Sequence, residues 1–322
     1  MNSMQPTPTT LDQIDLSAYP ATEQAALELL SVWPEHERTM SQSLAHRSGE
    51  VMRDTESAAE SAIKIGLDHF DSFTHVCRGY RYFCEKMILA SELHFRRTGR
   101  YELSRFSEAY KNIYSKPDIM ENYMNGLLLS GVFWRNHALA LTFYRTEFLS
   151  LLPADFDHLE IGPGHGALLR MTAQHGNYGS ISGWDVSKSS IAATRRSLQV
   201  LGVHDSVNLL QQDMRLAAAQ PQSYDSIVLS ELLEHLEDPL EALKSMVKVL
   251  RPGGYMLVNM PTNSPAPDHL YLVDSPTEVN QLITDAGLTI VRSAVFPMTG
   301  YSYAQCMKHK LTLTCVAVAV RA

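Results

Sequence analysis

From residue 157 onward the chain is written in short β-rich runs: "HLEIG", "SISGWD", "VNLLQQD", "DSIVLSE", "YMLVNMP", "LTIVRSAV" and "LTLTCVAVAV". Helical stretches at 166–175, 188–201, 236–250 and 275–286 alternate with the first six. Strands that alternate with helices cross over right-handedly and build a mostly parallel sheet with helices on both faces. Between the sixth and seventh runs the sequence shows only a polar loop around "TGYSYAQCMKHK", so the last strand most easily returns antiparallel. The expectation over 153–322 is an α/β, doubly wound sheet.

The residues ahead of it are of another kind. Over 21–152 glycines are few and the period is helical: Ala25, Leu29 and Val32 share one face of "ATEQAALELLSVW". A long helical stretch follows from Met52, with breaks expected near Gly66 or Gly79. Phe106, Tyr110 and Tyr114 recur every four residues, and Pro117 opens a further helix expected to run to Pro153. This half is expected to be an all-helical cap, and residues 1–20, rich in Pro, Thr and Asp, a flexible arm.

Composition narrows the function classes. With 45% apolar and 19% charged residues, the chain has the balance of an ordinary globular protein. A net charge of −8 argues against a nucleic-acid groove, which needs a basic stripe. No apolar run is long enough for a membrane span, and the N-terminus lacks the basic start and apolar core of a secretory signal. Cys77, Cys84, Cys306 and Cys315 lack paired spacing, so reduced thiols, a cytoplasmic location and no metal are expected.

"HLEIGPGHGALLR" at 158–170 carries the sharpest signal. Gly162, Gly164 and Gly166 follow the first strand, at the sheet edge where doubly wound folds bind ligands. Glycine there permits positive φ and leaves no Cβ between backbone and ligand. "GPGHGA" also satisfies the dinucleotide pattern, so a nicotinamide enzyme has to be weighed. Glu160, just ahead of the loop, would repel a pyrophosphate but suit an amino group or a sulfonium. Asp185 ends the second strand, placed for two ribose hydroxyls, and Asp213 ends the third, placed for an adenine amino group.

With these motifs in order, residues 157–322 resemble the class I S-adenosylmethionine-dependent methyltransferases. The matching segments are "LEIGPGHG", "GWDVS", "LLQQDM", "YDSIVLSELLEHLEDP" and "VLRPGGYMLVNMP". The resemblance implies a Rossmann-like seven-stranded sheet of order 3-2-1-4-5-7-6 with strand seven antiparallel, and S-adenosylmethionine as cofactor. It implies that Glu160, Gly162 and Gly164, with Gly166, hold the methionine end. Asp185 with Val186 would take the ribose and Asp213 with Met214 the adenine, while Ser230 and Glu231 would face sulfonium and substrate.

For chemistry, the candidates are Glu231 and His235 after the fourth strand and His269 in the loop after the fifth, with Asp268 beside it as the group that orients a base. From the cap come Tyr110, whose ring attracts a sulfonium, and Asn136, a polar group in an apolar helix next to His137. The leading expectation is methyl transfer to a small molecule, in bacterial secondary metabolism. A second enzyme reading has the bound cofactor cyclise on itself, its α-amine displacing methylthioadenosine to close an azetidine. A third is a catalytically silent cofactor-binding partner. A small-molecule substrate, no nucleic acid, no membrane and an optional homodimer complete the expectation.

Overall fold

The computed structural model of the protein describes residues 10–215 and 223–322. Helices come first. α1 (Pro20–Val32), α2 (Glu37–Leu44) and α3 (Gly49–Phe70) lead to α4 (Phe73–Tyr82) and α5 (Leu89–Thr98). The short α6 (Phe106–Ala109), α7 (Pro117–Phe133) and α8 (Arg135–Phe143) complete this part. Pro20 and Pro117 open their helices at the first turn, where a missing N–H costs nothing.

Three expectations are corrected here. The long stretch from Met52 breaks at Asp71, which is left-handed (φ 53°), and not at Gly66 or Gly79. Those glycines let helices touch: a Cβ on Gly66 would lie 2.9 Å from Val76 Cγ2, and one on Gly79 2.7 Å from Asn125 Cβ. The helix from Pro117 does not run to Pro153, because Trp134 is extended, α8 restarts at Arg135, and Tyr144–Phe148 forms a π-helical turn. The loose arm does not reach residue 20. Residues 1–9 lie outside the described residues, but Leu11 and Leu16 are buried against Leu29, Met40 and Phe133.

The sheet follows. β1 (Phe156–Ile161), α9 (Ala167–His175), β2 (Tyr178–Asp185), α10 (Lys188–Val200) and β3 (Asn208–Gln211) form its first half. β4 (Tyr224–Ser230), α11 (Pro239–Val249), β5 (Leu250–Thr262), α12 (Pro276–Asp285), β6 (Leu288–Pro297), α13 (Tyr303–His309) and β7 (Leu313–Arg321) form the second. The order is β3-β2-β1-β4-β5-β7-β6, as expected, with β7 antiparallel to both β5 and β6. The connection between β6 and β7 is not only a loop: α13 sits in it, closed at its N-terminus by a Ser302/Gln305 capping box.

Alternate residues of each strand go to opposite faces. Leu159, Ile161, Ile227, Leu229, Met256 and Val258 pack with Leu243, Met246 and Ile283 from α11 and α12. On the other face Val228, Leu257, Val316 and Val318 are covered by Phe143, Tyr144 and Phe148. Full burial of an aromatic such as Phe148 stabilises by roughly 1.5–3 kcal/mol. The end of the helical part is therefore one layer of the sheet's own core, which ties the helices to the sheet.

Candidate active site

The reversal of strand order lies between β1 and β4, and the glycine loop leaves β1 there. Gly162 (φ 66°) donates its N–H to the Trp184 carbonyl, tying the loop to the end of β2 at 2.8 Å. Gly164 has φ 52°, and a Cβ on it would meet nothing within 4 Å, so it faces the open crevice. Gly166 is different. A Cβ there would lie 2.6 Å from Leu198 Cδ2, so this glycine (φ 77°) lets α9 pack on α10. Helix packing thus accounts for a glycine at 166 without a ligand.

Glu160 is buried with Oε2 lacking any partner. Burial pushes its carboxyl up to about 8, against a hydrogen bond from the Leu169 backbone. A buried carboxyl with an unmet acceptor calls for a cationic group. Asp185 accepts from the Ser187 N–H at 2.7 Å through Oδ1, which sets its carboxylate at the end of β2, and burial raises it. Val186 beside it is exposed, and its carbonyl accepts from Gln211. Met214 is buried against Trp184 and Tyr224. The Asp213 carboxylate is taken up by the Arg215 guanidinium at 2.5 Å and backbone N–H at 2.9 Å. The Arg215 bonds hold it below the usual carboxylate range. Its expected free acceptor for an adenine amino group is in this structure shared with Arg215, a signal a two-residue spacing could have given.

β4 and β5 end side by side. Asn259 joins them: its Nδ2 donates to Ser230 Oγ at 3.0 Å, and its carbonyl accepts the Glu231 N–H at 2.8 Å. Sequence reasoning missed Asn259, although a single amide inside the apolar run "YMLVNMP" marked it. Glu231 is left-handed (φ 49°), which turns the chain back into the site, and its Oε1 is buried without a partner. Burial, then the charge of Glu234, raises its carboxyl well above the ordinary range.

Beyond it lies a cluster assembled from two loops. Glu234 is fully buried; no donor group reaches its carboxyl oxygens, and the Glu231 carboxyl lies beside it. His235 Nδ1 lies 3.2 Å from Asp268 Oδ2. Burial disfavours the imidazolium, but Asp268 and Glu234 outweigh it and raise His235 to about 9. Asp268 is itself held below the usual carboxylate range, because His235 and His269 overcome its burial. His269 Nδ1 lies 2.6 Å from the Ser264 carbonyl, and burial with the charge of His235 drops it to about 3. Its ring stands at 89° to that of His235, centroids 4.7 Å apart. The expectation that Asp268 orients His269 is corrected: Asp268 orients His235, and a backbone carbonyl orients His269.

The cap closes this cluster with tyrosines other than the one expected. Tyr114 donates to Asp268 Oδ2 at 2.8 Å, and Tyr101 Oη accepts the Ser264 N–H at 3.0 Å. Burial and then Asp268 raise the Tyr114 phenol, with a contribution from Asp185 at the end of β2. Tyr110 is more than half exposed and touches Phe106. It stands outside the cluster because the π-helical turn Tyr110–Tyr114 directs the later ring inward. Asn136 is also corrected. It is buried, and its Nδ2 donates to Thr314 Oγ1 on β7 at 2.8 Å, a bond that fixes α8 to the sheet. His137 likewise contacts Ser130 Oγ at 3.1 Å.

No helix among the described residues is long and apolar enough to cross a membrane. Comparison with known proteins places the site in context. Residues 159–256 match a family model described as a methyltransferase domain. The ubiquinone biosynthesis O-methyltransferase of Vibrio cholerae is 31% identical over 99 residues, covering 30% of this chain and 39% of that protein. The enzyme of the same description from Nitrosospira multiformis is 28% identical over 110 residues, covering 34% and 44%. The chain thus spans about two fifths of the length of these curated relatives. Among solved structures, the [4+2]-cyclase SpnF is similar with a TM-score of 0.48 and 16% identity, over 58% of this chain and 82% of that one. A putative sarcosine dimethylglycine methyltransferase from Galdieria sulphuraria gives 0.47 and 16%, over 57% and 87%.

Proposed function

Since the sheet domain belongs to the class I S-adenosylmethionine-dependent methyltransferases, with S-adenosylmethionine as its cofactor, we propose that the protein transfers the cofactor's methyl group to an oxygen nucleophile on a small molecule. The observation that supports this most is the buried Glu234–His235–His269 cluster at the end of β4, roofed by Tyr101 and Tyr114. An alkyl sulfonium needs no further activation, so the protein's part is to align the attacking atom, take up its proton and exclude water.

In this reading Glu160 meets the α-ammonium and Asp185 the ribose hydroxyls, while the Gly162–Gly164 backbone runs along the methionine chain. The acceptor oxygen attacks the methyl carbon, the carbon–sulfur bond breaks, and its electron pair stays on sulfur to give the neutral thioether. The acceptor's proton passes into the cluster, where His269 is neutral with Nε2 free of its backbone bond. An oxygen acceptor agrees with the O-methyltransferase relatives from Vibrio cholerae and Nitrosospira multiformis. The place in bacterial secondary metabolism rests on the helical cap, a layout shared with small-molecule methyltransferases.

The test is to incubate the purified protein with S-adenosylmethionine, alone and with a panel of phenols and alcohols, and to identify the nucleoside product. Adenosylhomocysteine formed only with an acceptor is the expected result. Methylthioadenosine from the cofactor alone would replace methyl transfer by self-cyclisation. Tight cofactor binding with neither product would leave a silent binding partner.

A further inference from the structure

Glu234, His235 and His269 present one ligand atom each, all within 4.8 Å of one another. Both imidazole Nε2 atoms face the same carboxylate oxygen: Glu234 Oε1 lies 3.9 Å from His235 Nε2 and 4.0 Å from His269 Nε2. We propose that these three side chains form a binding site for one divalent transition-metal ion, of the Zn2+ or Co2+ kind, set beside the methyl-transfer site.

Two independent features point to a cation there. The first is how the rings are held. Each histidine uses Nδ1 for an outer partner, His269 the Ser264 carbonyl at 2.6 Å and His235 the Asp268 carboxylate at 3.2 Å. That leaves both Nε2 atoms turned inward, the arrangement by which carboxylates and backbone carbonyls fix metal-binding imidazoles. Asp268 is itself fixed by Tyr114 at 2.8 Å. The second feature is Glu234, fully buried with no donor group on either oxygen and with the buried Glu231 carboxyl beside it, so that two acids crowd one dry site. An unsatisfied buried carboxylate is costly, and a bound cation removes the cost.

Two imidazole nitrogens and one carboxylate suit Zn2+ and its neighbours rather than Mg2+ or Ca2+, which take oxygen ligands. Around a tetrahedral ion with bonds of about 2.1 Å the ligand atoms stand about 3.4 Å apart, so binding draws the three in by about 1 Å. Three protein ligands would leave a fourth position of a tetrahedral ion for water or a substrate oxygen. The absence of paired cysteines led to the expectation of no metal; the ligands here come from two separate loops, Glu234 with His235 on one and His269 on the other, invisible to local spacing.

The proposed role rests on the methyl-transfer reading: the ion would hold the acceptor oxygen and lower its pKa, its proton leaving to solvent because His269 Nε2 is then a ligand and no longer a base, and the oxyanion would attack the methyl group. Binding itself does not depend on that reading, and the experiment separates the two. Tag-free full-length protein is stripped with chelator and titrated calorimetrically with Zn2+, and with Co2+ followed by its visible absorption. One ion per chain is expected. Glu234→Gln and His269→Gln should each weaken binding at least 100-fold, and His204→Gln, on an exposed turn, should not. Circular dichroism establishes that each variant is folded, and Asp268→Asn gives a second series in which the ligands are intact but His235 is released, with a loss of about 10–100-fold. No stoichiometric binding to the wild type, or binding untouched by Glu234→Gln and His269→Gln, overturns the site. One ion bound with these losses, but no methylated product, sustains the site and sinks the methyl-transfer reading instead.

Discussion

Asp268 reaches across the site to His235, 3.2 Å from its Nδ1, and leaves His269, its neighbour in the chain, to the Ser264 carbonyl. The charge that matters is therefore an imidazolium–carboxylate pair between two loops, and it has a pH signature. His235 is raised from 6.5 to about 9, so its contribution to stability is fully present below about 6.5 and is lost as pH rises through about 9. Asp268 is lowered, so its contribution is present above its unfolded value of 3.8 and is lost only in acid. In chelator-treated protein without cofactor, denaturant unfolding from pH 6 to 9.5 should show an alkaline loss of stability that Asp268→Asn largely removes. Parallel pH slopes for the two proteins would show that the pair is not coupled to folding.

Glu160 gives a second proton-linked prediction. With its carboxyl raised to about 8 by burial, it is mostly protonated in the free protein at pH 7. An α-ammonium placed against it restores the carboxylate, so S-adenosylmethionine binding should release up to one proton at pH 7 and fewer as pH rises above 8. Calorimetry in buffers of different ionisation enthalpy measures this directly. Glu160→Gln should weaken binding and abolish the release; an unchanged release would move the ammonium to another partner.

The two histidines also show where sequence reading stops. The strands were legible because each is a short β-rich run, and their order came with the family resemblance, because the motifs that carry it, the glycine loop and Asp185 among them, are contiguous. The antiparallel β7 was legible too, although α13 was hidden: its Ser302–Gln305 capping box is short and sits among polar residues. What was not legible is pairing between loops. Nothing in the sequence says whether Asp268 serves His235 or His269, because loop conformation decides it. Nor does a four-residue spacing tell Tyr110 from Tyr114 when the turn between them is π-helical and not α-helical. Asn136 misled for a related reason, its partner Thr314 lying 178 positions away.

The glycine loop separates two effects of adding a side chain. Gly166→Ala places a methyl 2.6 Å from Leu198 Cδ2 at φ 77°, so it should destabilise the fold by about 1–3 kcal/mol through overpacking alone. A Cβ on Gly164 meets no neighbour and its positive φ is the strain that is evident, so Gly164→Val should leave the fold standing at a cost of about 1–2 kcal/mol. Its branched side chain points into the crevice, and cofactor affinity should fall by at least tenfold. Thermal melts with and without S-adenosylmethionine distinguish the two. Normal cofactor stabilisation in folded Gly164→Val would assign the loop to a different ligand.

The last prediction concerns the cap. Tyr114 is a cap group whose hydroxyl touches the ionisable cluster, through its 2.8 Å bond to Asp268, with the buried Tyr123 also against that carboxylate, while Tyr110 stands exposed one turn earlier. Tyr114→Phe removes a hydrogen bond to a charged acceptor, worth about 1.5–3 kcal/mol where buried. Asp268 loses one of the bonds that hold it ionised, so its grip on His235 weakens and the His235 value moves down from about 9. Turnover should fall about tenfold or more, and the alkaline limb of its pH profile should shift to lower pH. Tyr110→Phe should leave turnover within about twofold and the profile in place, because an exposed hydroxyl away from the cluster contributes little. Steady-state rates between pH 6 and 10 on both variants, with melting temperatures alongside, make the comparison. Equal pH profiles for Tyr114→Phe and the wild type would reduce Tyr114 to a packing residue and detach the cap from the chemistry.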